Sequence, residues 1–194
     1  MAKLYFRYGA MNSGKSTALL QAVYNYEERG RRVLVLKPAV DTKGATTVLS
    51  RLGVTREADA LIRHDDDVLA LLAPLLSEAD YSAVFVDEAQ FLAREQVDQL
   101  MQVVVRHGLP VLAYGLRTDF QAQPFPGAQR LLELAHSIEE LKTICRCGKK
   151  AIFNTRIIDG GVVFDGDQVS IEGQDVSYES RCAECYWAER SAIG

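Results

Sequence analysis

The sequence predicts an α/β fold, with a mostly parallel sheet covered by helices on both faces and a small C-terminal part of different character. Short apolar runs alternate with stretches of helical periodicity over about the first 140 residues. The runs are wholly apolar, as expected of parallel strands buried on both faces. All four cysteines lie beyond this region, where the pattern changes. We therefore place a boundary near residue 140 and predict domains over 1–140 and 141–194.

The first half of the large domain reads strand, helix, strand, irregular segment. Residues 3–8 alternate and are rich in aromatics, which predicts a strand. The next stretch has helical periodicity from residue 16 and is expected to stop at Gly30. Residues 33–36 predict a buried strand. Residues 38–64 are polar and predict a long irregular loop.

The second half continues the alternation. Residues 65–79 open with three aspartates, which favour a helix N-terminus, and predict a helix. Further strands are expected over 83–86 and 110–114, separated by a helix over 94–107. The C-terminal part predicts short β-like pieces separated by Gly and Asp. These pieces are Ile152–Ile158, Gly161–Phe164 and Gln168–Ile171.

Composition and charge narrow the classes of function. The 194 residues are 48% hydrophobic and 25% charged, the balance of a globular protein with a sizeable core. The net charge of −4 disfavours a chain that neutralises nucleic-acid phosphates. The longest apolar run, Val68–Leu76, contains Pro74 and is too short to span a bilayer. The N-terminus shows no secretory signal, so we expect a cytoplasmic protein with reduced thiols and no membrane partner.

A phosphate-binding loop is predicted at the end of the first strand. Residues 9–16 fit G-x-x-x-x-G-K-[ST], with a strand before and a helix after. The glycines let backbone N–H groups point at phosphate oxygens, Lys15 would bridge the β- and γ-phosphates, and Ser16 would ligate Mg²⁺. The alternative is a glycine-rich turn without a ligand, which the flanking elements disfavour. The predicted ATP-binding residues are Gly9, Ala10, Met11, Asn12, Ser13, Gly14, Lys15, Ser16 and Thr17.

Two adjacent acids follow the buried strand 83–86. Asp87 stands where a second Mg²⁺-anchoring carboxylate is expected. On an extended backbone Glu88 points to the opposite face, so one acid would hold the metal and the other would act as a base. The alternative for each is an acid that only solubilises the end of a strand.

The cysteines form two close pairs, Cys145-x-Cys147 and Cys182-x-x-Cys185. Two such pairs on either side of a small β segment are typical of a structural Zn²⁺ site closed by four thiolates. Buried or redox-active thiols are the alternative. A closed four-sulfur site has no open coordination position, so its expected role is to tie the segment between the pairs together.

These pieces together resemble the type II (cellular-type) thymidine kinase family, from residue 3 to about residue 187. A phosphate loop alone is common to many ATPases, but its combination with DEAQF and a split cysteine quartet in one short chain is specific. The segments that carry the resemblance are Gly9–Thr17, Val86–Phe91, Gly115–Phe120, Thr143–Ala151 and Gly166–Cys185.

The resemblance implies a RecA-like P-loop core with a zinc-bound lasso domain. It implies transfer of the ATP γ-phosphoryl group to the 5′-hydroxyl of thymidine, with Glu88 as the general base. ATP, Mg²⁺ and a structural Zn²⁺ would be required. Thymidine triphosphate would inhibit by feedback, and the chain would form a homo-oligomer, a dimer or a tetramer.

The resemblance also implies an acceptor pocket. Backbone groups around 169–175 would bond the pyrimidine edge, and Asp41, Ser50 and Arg51 would lie near the phosphates. The chain departs from some relatives at Lys43, Asn154 and Cys185, where they carry Arg, Thr and His. The residues expected to bind thymidine are Met11, Gln90, Phe91, Leu116, Phe120, Phe125 and Tyr178.

Two other classes of function are open on the sequence. VDEAQ is similar to the DEAD-type helicase motif, which would indicate an ATP-driven nucleic-acid motor; the single predicted core and the acidic pI disfavour it. A zinc-ribbon interaction module joined to a nucleotide-sensing switch would leave Glu88 without a function.

Overall fold

The computed structural model describes residues 1–40, 46–168 and 176–193. Its central feature is a parallel sheet of six strands, which confirms the predicted α/β class. The strands of the chain are β1 (Leu4–Tyr8), β2 (Val33–Pro38), β3 (Thr47–Leu49), β4 (Thr55–Glu57), β5 (Ala60–Ile62), β6 (Ala83–Val86), β7 (Val111–Gly115), β8 (Ser137–Glu140), β9 (Thr143–Ile144), β10 (Lys150–Ala151), β11 (Phe153–Ile158), β12 (Gly161–Val163) and β13 (Val176–Arg181). The helices are α1 (Lys15–Glu27), α2 (Val68–Glu78), α3 (Arg94–His107), α4 (Pro126–Leu134) and α5 (Ala183–Ile193).

The large sheet has the order β5-β2-β6-β7-β1-β8 and carries helices on both faces, as predicted. Alternate residues of each strand point to opposite faces, which divides the core in two. Val33 and Val35 pack with α1, whereas Leu34 and Leu36 pack with α2 and α3. Within the described ranges, no helix is both long and apolar enough to cross a membrane.

The predicted helices are present, but α2 is shorter than the predicted 65–79 and α1 ends at Glu27, three residues before the predicted stop at Gly30. Helix α2 begins after Asp67, whose carboxylate accepts hydrogen bonds from Leu69 N and Ala70 N at 2.8 and 3.1 Å. This cap satisfies backbone donors that the first turn leaves without partners. Helix α3 ends at Gly108, as its periodicity predicts.

Several elements differ from the sequence prediction. The segment 38–64 is not one irregular loop, because it contains the hairpin β3–β4 and the edge strand β5. The elements α4, β8, β9, β10, β13 and α5 were not predicted. Helix α4 begins with Pro126 at its first position, where proline is tolerated because that N–H needs no partner within the helix. Gln168 lies in a bend rather than a strand, and 169–171 fall outside the described residues.

The C-terminal part packs on the loops that follow the strands of the large sheet. It contains the hairpin β9–β10, the antiparallel sheet β12-β11-β13, and α5. Tyr186 of α5 stacks on Phe153 with ring centroids 4.5 Å apart. Its hydroxyl donates to Phe120 O at 2.8 Å. This contact joins α5 to the loop between β7 and α4.

Candidate active site

The predicted phosphate loop, Gly9–Thr17, connects β1 to α1. Gly14 adopts φ +79°, a left-handed conformation that glycine reaches without strain. The ammonium of Lys15 is buried within the loop and donates to Gly9 O at 3.3 Å and Ala10 O at 2.9 Å. Burial lowers the pKa of Lys15, and the nearby carboxylates of Glu88 and Asp87 act against that shift.

One polar atom of the loop is buried without a hydrogen-bond partner in the described part of the chain. This atom is Ser13 Oγ. A buried polar group in this state calls for a ligand or an ordered water. The backbone beside it turns sharply, since Asn12 has φ 65° and Ser13 N donates to Ala10 O at 3.2 Å. The unpartnered hydroxyl therefore lies in the part of the loop where the motif expects phosphate oxygens.

Asp87 directly follows β6 and lies beside the phosphate loop. Its carboxylate accepts from Ser16 Oγ, with distances of 3.2 Å to Oδ2 and 3.4 Å to Oδ1. Burial and the neighbouring charge of Glu88 raise the pKa of Asp87 to about 6, against the opposing hydrogen bonds from Glu88 N and Ser16. A hydroxyl and a carboxylate are hard oxygen ligands of the kind that Mg²⁺ prefers, so this pair fits that ion.

Glu88 is not on an extended backbone, so the reason given above for the separation of the two acids was wrong. Its φ of 50° and ψ of 36° are left-handed, at the start of a short 3₁₀ turn over Ala89–Phe91. A non-glycine residue in this region is strained and is held there by its surroundings. The two carboxylates still have different partners, since Asp87 bonds to Ser16 and Glu88 to Gln90.

Gln90 is fully buried and fixes the carboxylate of Glu88. Its side-chain amide donates to Glu88 Oε2, and its Oε1 accepts from Leu116 N at 3.1 Å. Gly115 makes room for it, because a Cβ at that position would lie 2.6 Å from Gln90 Oε1. The Gln90 amide therefore connects the Glu88 carboxylate to the backbone just after β7 and fixes its orientation.

The expected pocket residues fall into two groups. Met11, Phe91, Leu116 and Phe125 belong to one apolar cluster, in which the rings of Phe91 and Phe125 meet edge to face at 5.4 Å. Phe120 lies apart from that cluster. It contacts the guanidinium of Arg156, which also bonds to Tyr178 Oη at 3.0 Å.

Asn154 joins the two groups. Its Oδ1 accepts from Met11 N at 2.7 Å, and its Nδ2 donates to Thr118 O at 2.8 Å. The side chain is buried, and both ends of the amide are used. Asn154 therefore braces the phosphate loop against β11 and the β7–α4 loop.

The remaining residues expected near the phosphates are only partly described. Ser50 is buried in the turn between β3 and β4, where its Oγ accepts from Val54 N at 3.1 Å. Arg51 is exposed, and its charge helps to lower the pKa of Lys15. The hairpin therefore lies beside the phosphate loop. Asp41, Lys43 and 169–175 lie outside the described residues.

The four cysteines meet in one place, as predicted. The Sγ atoms of Cys145, Cys147, Cys182 and Cys185 all lie within 4.8 Å of one another, and the thiols are free rather than disulfide-bonded. Burial acts to raise the pKa of Cys145, but hydrogen bonds from the N–H groups of Cys147 and Cys182 and from the other thiols outweigh it, lowering the pKa to about 6. Four sulfur ligands at this spacing fit Zn²⁺.

Comparison with known proteins agrees with this geometry. The sequence model of the thymidine kinase family matches residues 2–186. A thymidine kinase of Pasteurella multocida is 49% identical over the whole of both chains. One from Legionella pneumophila strain Paris is 50% identical over 94% of this chain and 88% of its own. The enzyme of Enterobacteria phage T4 is 48% identical over 97% of each chain.

The chain belongs to the thymidine kinase family. The match includes β1, the phosphate loop, the Asp87–Glu88 pair and the cysteine quartet. It ends at Tyr186, the residue of α5 that anchors the β7–α4 loop.

Sequence reasoning missed two buried residues on the side of the site where thymidine was expected. Arg156 lies in the buried run of β11, where the sequence indicates only a strand. Asp119 is buried in the β7–α4 loop, and its Oδ1 accepts from Gln121 N at 2.9 Å and Gln123 N at 2.8 Å. An acid two residues before its bonded N–H is a turn signal that could have identified Asp119.

We expect the quartet to bind zinc, and removal of that ion should destabilise the chain, because the quartet connects β9–β10 to the start of α5. We expect about one zinc per chain, and loss of the ion should lower the melting temperature, since four close thiols would repel one another or oxidise. Elemental analysis, thiol titration and thermal unfolding before and after chelation measure this. A metal-free chain with the same melting temperature would contradict it.

Proposed function

We propose that the chain transfers the γ-phosphoryl group of ATP to the 5′-hydroxyl of thymidine. One observation carries the proposal: two adjacent acids beside the phosphate loop have different hydrogen-bond partners. Asp87 bonds to Ser16 of the loop, and Glu88 bonds to Gln90. The family match supports the same activity. In this proposal residues 1–140 bind the nucleotide, and 141–194 form the zinc-binding lasso that completes the acceptor side.

Each group of the site has a task in phosphoryl transfer. Lys15 and the N–H groups of the loop hold the transferring phosphate, whose charge is the main thing the protein must stabilise. Ser16 and Asp87 would hold Mg²⁺, which neutralises charge on the phosphate oxygens when bound. Glu88, oriented by Gln90, accepts the proton of the 5′-hydroxyl.

The acceptor is a flat, uncharged ring on a sugar, and the aromatic residues suit it. Phe91 is half-buried in the turn that Glu88 starts, and it packs on the buried Phe125 and Leu116. Phe120 and Tyr178 stand on the other side of the Asn154 brace. A site lined in this way excludes water, which would otherwise accept the phosphoryl group.

The test is a nucleoside screen with labelled ATP. Thymidine should be phosphorylated, and product formation should require Mg²⁺. The same assay with added thymidine triphosphate should show inhibition, which we propose as feedback at the acceptor site. ATP hydrolysis stimulated by DNA, without nucleoside phosphorylation, would overturn the proposal. We further propose a cytoplasmic homo-oligomer, a dimer or a tetramer, in line with the family resemblance.

A further inference from the structure

Arg156 is a buried cation in the middle of β11. Only 3% of its surface is exposed, and no carboxylate of the described residues lies within salt-bridge distance of it. Placing a guanidinium inside a protein is costly unless other groups satisfy it. The groups that contact the Arg156 guanidinium therefore indicate its role.

Those contacts all lead to the acceptor side. The guanidinium carbon lies 3.7 Å from the centroid of the Phe120 ring, well inside the range of a cation–π interaction. Its Nε donates to Tyr178 Oη at 3.0 Å, and a terminal nitrogen donates to Gln168 O at 3.0 Å. Arg156 and Tyr178 are directly opposite in the β11–β13 register, which sets this geometry.

A second link reinforces the first. Gln168 is also held by its side chain, which donates to Asp119 Oδ2 at 2.9 Å. The other oxygen of Asp119 closes the turn that presents Phe120. Gln168 and Tyr178 flank 169–175 in the sequence, so Arg156 bonds to residues on both sides of that segment and stacks on the neighbouring loop.

We propose that Arg156 is a positioning residue for the nucleoside acceptor, which it serves by holding Phe120, Tyr178 and Gln168 in one arrangement. The proposal rests on the proposed function, since it assigns these three residues to the thymidine side. Arginine suits the role because its planar fork can bond in two directions while its face stacks on a ring. A lysine has the charge but neither the plane nor the fixed fork.

None of these contacts reaches the phosphate loop. Lys15 bonds to the carbonyls of Gly9 and Ala10, and Ser16 bonds to Asp87. Loss of Arg156 should therefore act on the acceptor and leave the donor alone. This separation distinguishes a positioning role from a general structural one, which would affect both substrates.

The experiment is a steady-state comparison of wild type, Arg156→Met and Arg156→Lys. Arg156→Met should raise KM for thymidine by roughly tenfold or more, the scale of one hydrogen bond to a charged group, with KM for ATP within about twofold of wild type. Arg156→Lys should restore little of the loss. An unchanged KM for thymidine, an equal rise in both KM values, or full rescue by lysine would each overturn the proposal.

A milder variant covers the case in which Arg156→Met does not fold. Tyr178→Phe removes only the hydroxyl that Arg156 bonds. It should raise KM for thymidine by itself and add little in the Arg156→Met background, because coupled residues are not additive. If Arg156→Met does not fold, a rise in Tyr178→Phe supports the proposal and an unchanged KM opposes it.

Arg130→Met is the matched control. Arg130 pairs with Asp98 and Glu133 between α3 and α4 and bonds to none of the partners of Arg156, so its loss should leave KM for thymidine unchanged. Wild type is assayed first. A wild type that does not phosphorylate thymidine counts against the proposed function, whereas an active wild type with an unaffected Arg156→Met counts against this inference alone.

Discussion

Replacing Glu88 with glutamine should lower kcat for thymidine phosphorylation by at least about 100-fold, the usual scale of general base catalysis. The amide has the same shape and can still accept the hydrogen bond from Gln90, so the 3₁₀ turn should keep its conformation. What the amide lacks is the ability to take a proton from the sugar hydroxyl. Steady-state kinetics with both substrates measures the effect.

The control is Glu95→Gln, an exposed acid in the first turn of α3. It removes one negative charge near the same end of the sheet without touching the site. Its kcat should equal that of wild type. ATP binding by Glu88→Gln, measured by equilibrium titration, should persist. If Glu88→Gln had the kcat of wild type, Glu88 would not be the general base, and the nucleotide-sensing interpretation would be favoured.

The second large effect is expected at Lys15. Lys15→Ala should abolish detectable turnover. The loop holds the Lys15 ammonium against its own backbone, where the positive charge can stabilise the transferring phosphate. The truncated side chain also leaves Gly9 O and Ala10 O without their donor. Binding of a non-hydrolysable ATP analogue should weaken in parallel, which isothermal titration would detect.

Lys3→Ala is the matched control for this loss. Lys3 is exposed at the start of the same strand that ends in the phosphate loop, so its removal changes net charge by the same amount. Turnover should be unaffected. Retained turnover in Lys15→Ala would withdraw the phosphate-loop assignment.

The parts that the sequence predicts correctly depend on neighbours in the chain. The buried runs of β2, β6 and β7, the Asp67 cap and the end of α3 at Gly108 are all local signals. The cysteine quartet was also predicted correctly, although it is not a local signal. Its two close pairs are far apart in sequence, but the chemistry of a four-thiolate site predicts that they meet.

The parts that escaped prediction depend on tertiary contacts. The left-handed conformation of Glu88 is imposed by Gln90 and by the end of β7, and no rule for a single acid after a strand contains it. Strand β8 consists largely of exposed residues and forms because β1 offers it an edge. The partners of Arg156 are 12, 22 and 36 positions away, so sequence spacing does not reveal them.

The Asn154 amide affects the order in which the chain can fold during its synthesis. It supports Met11, a residue 143 positions earlier. The ribosome therefore synthesises the phosphate loop early. Asn154, which supports that loop, follows only after three quarters of the chain has been made. A truncated product ending before β11 would have every strand of the large sheet yet lack the support that links its first loop to the rest.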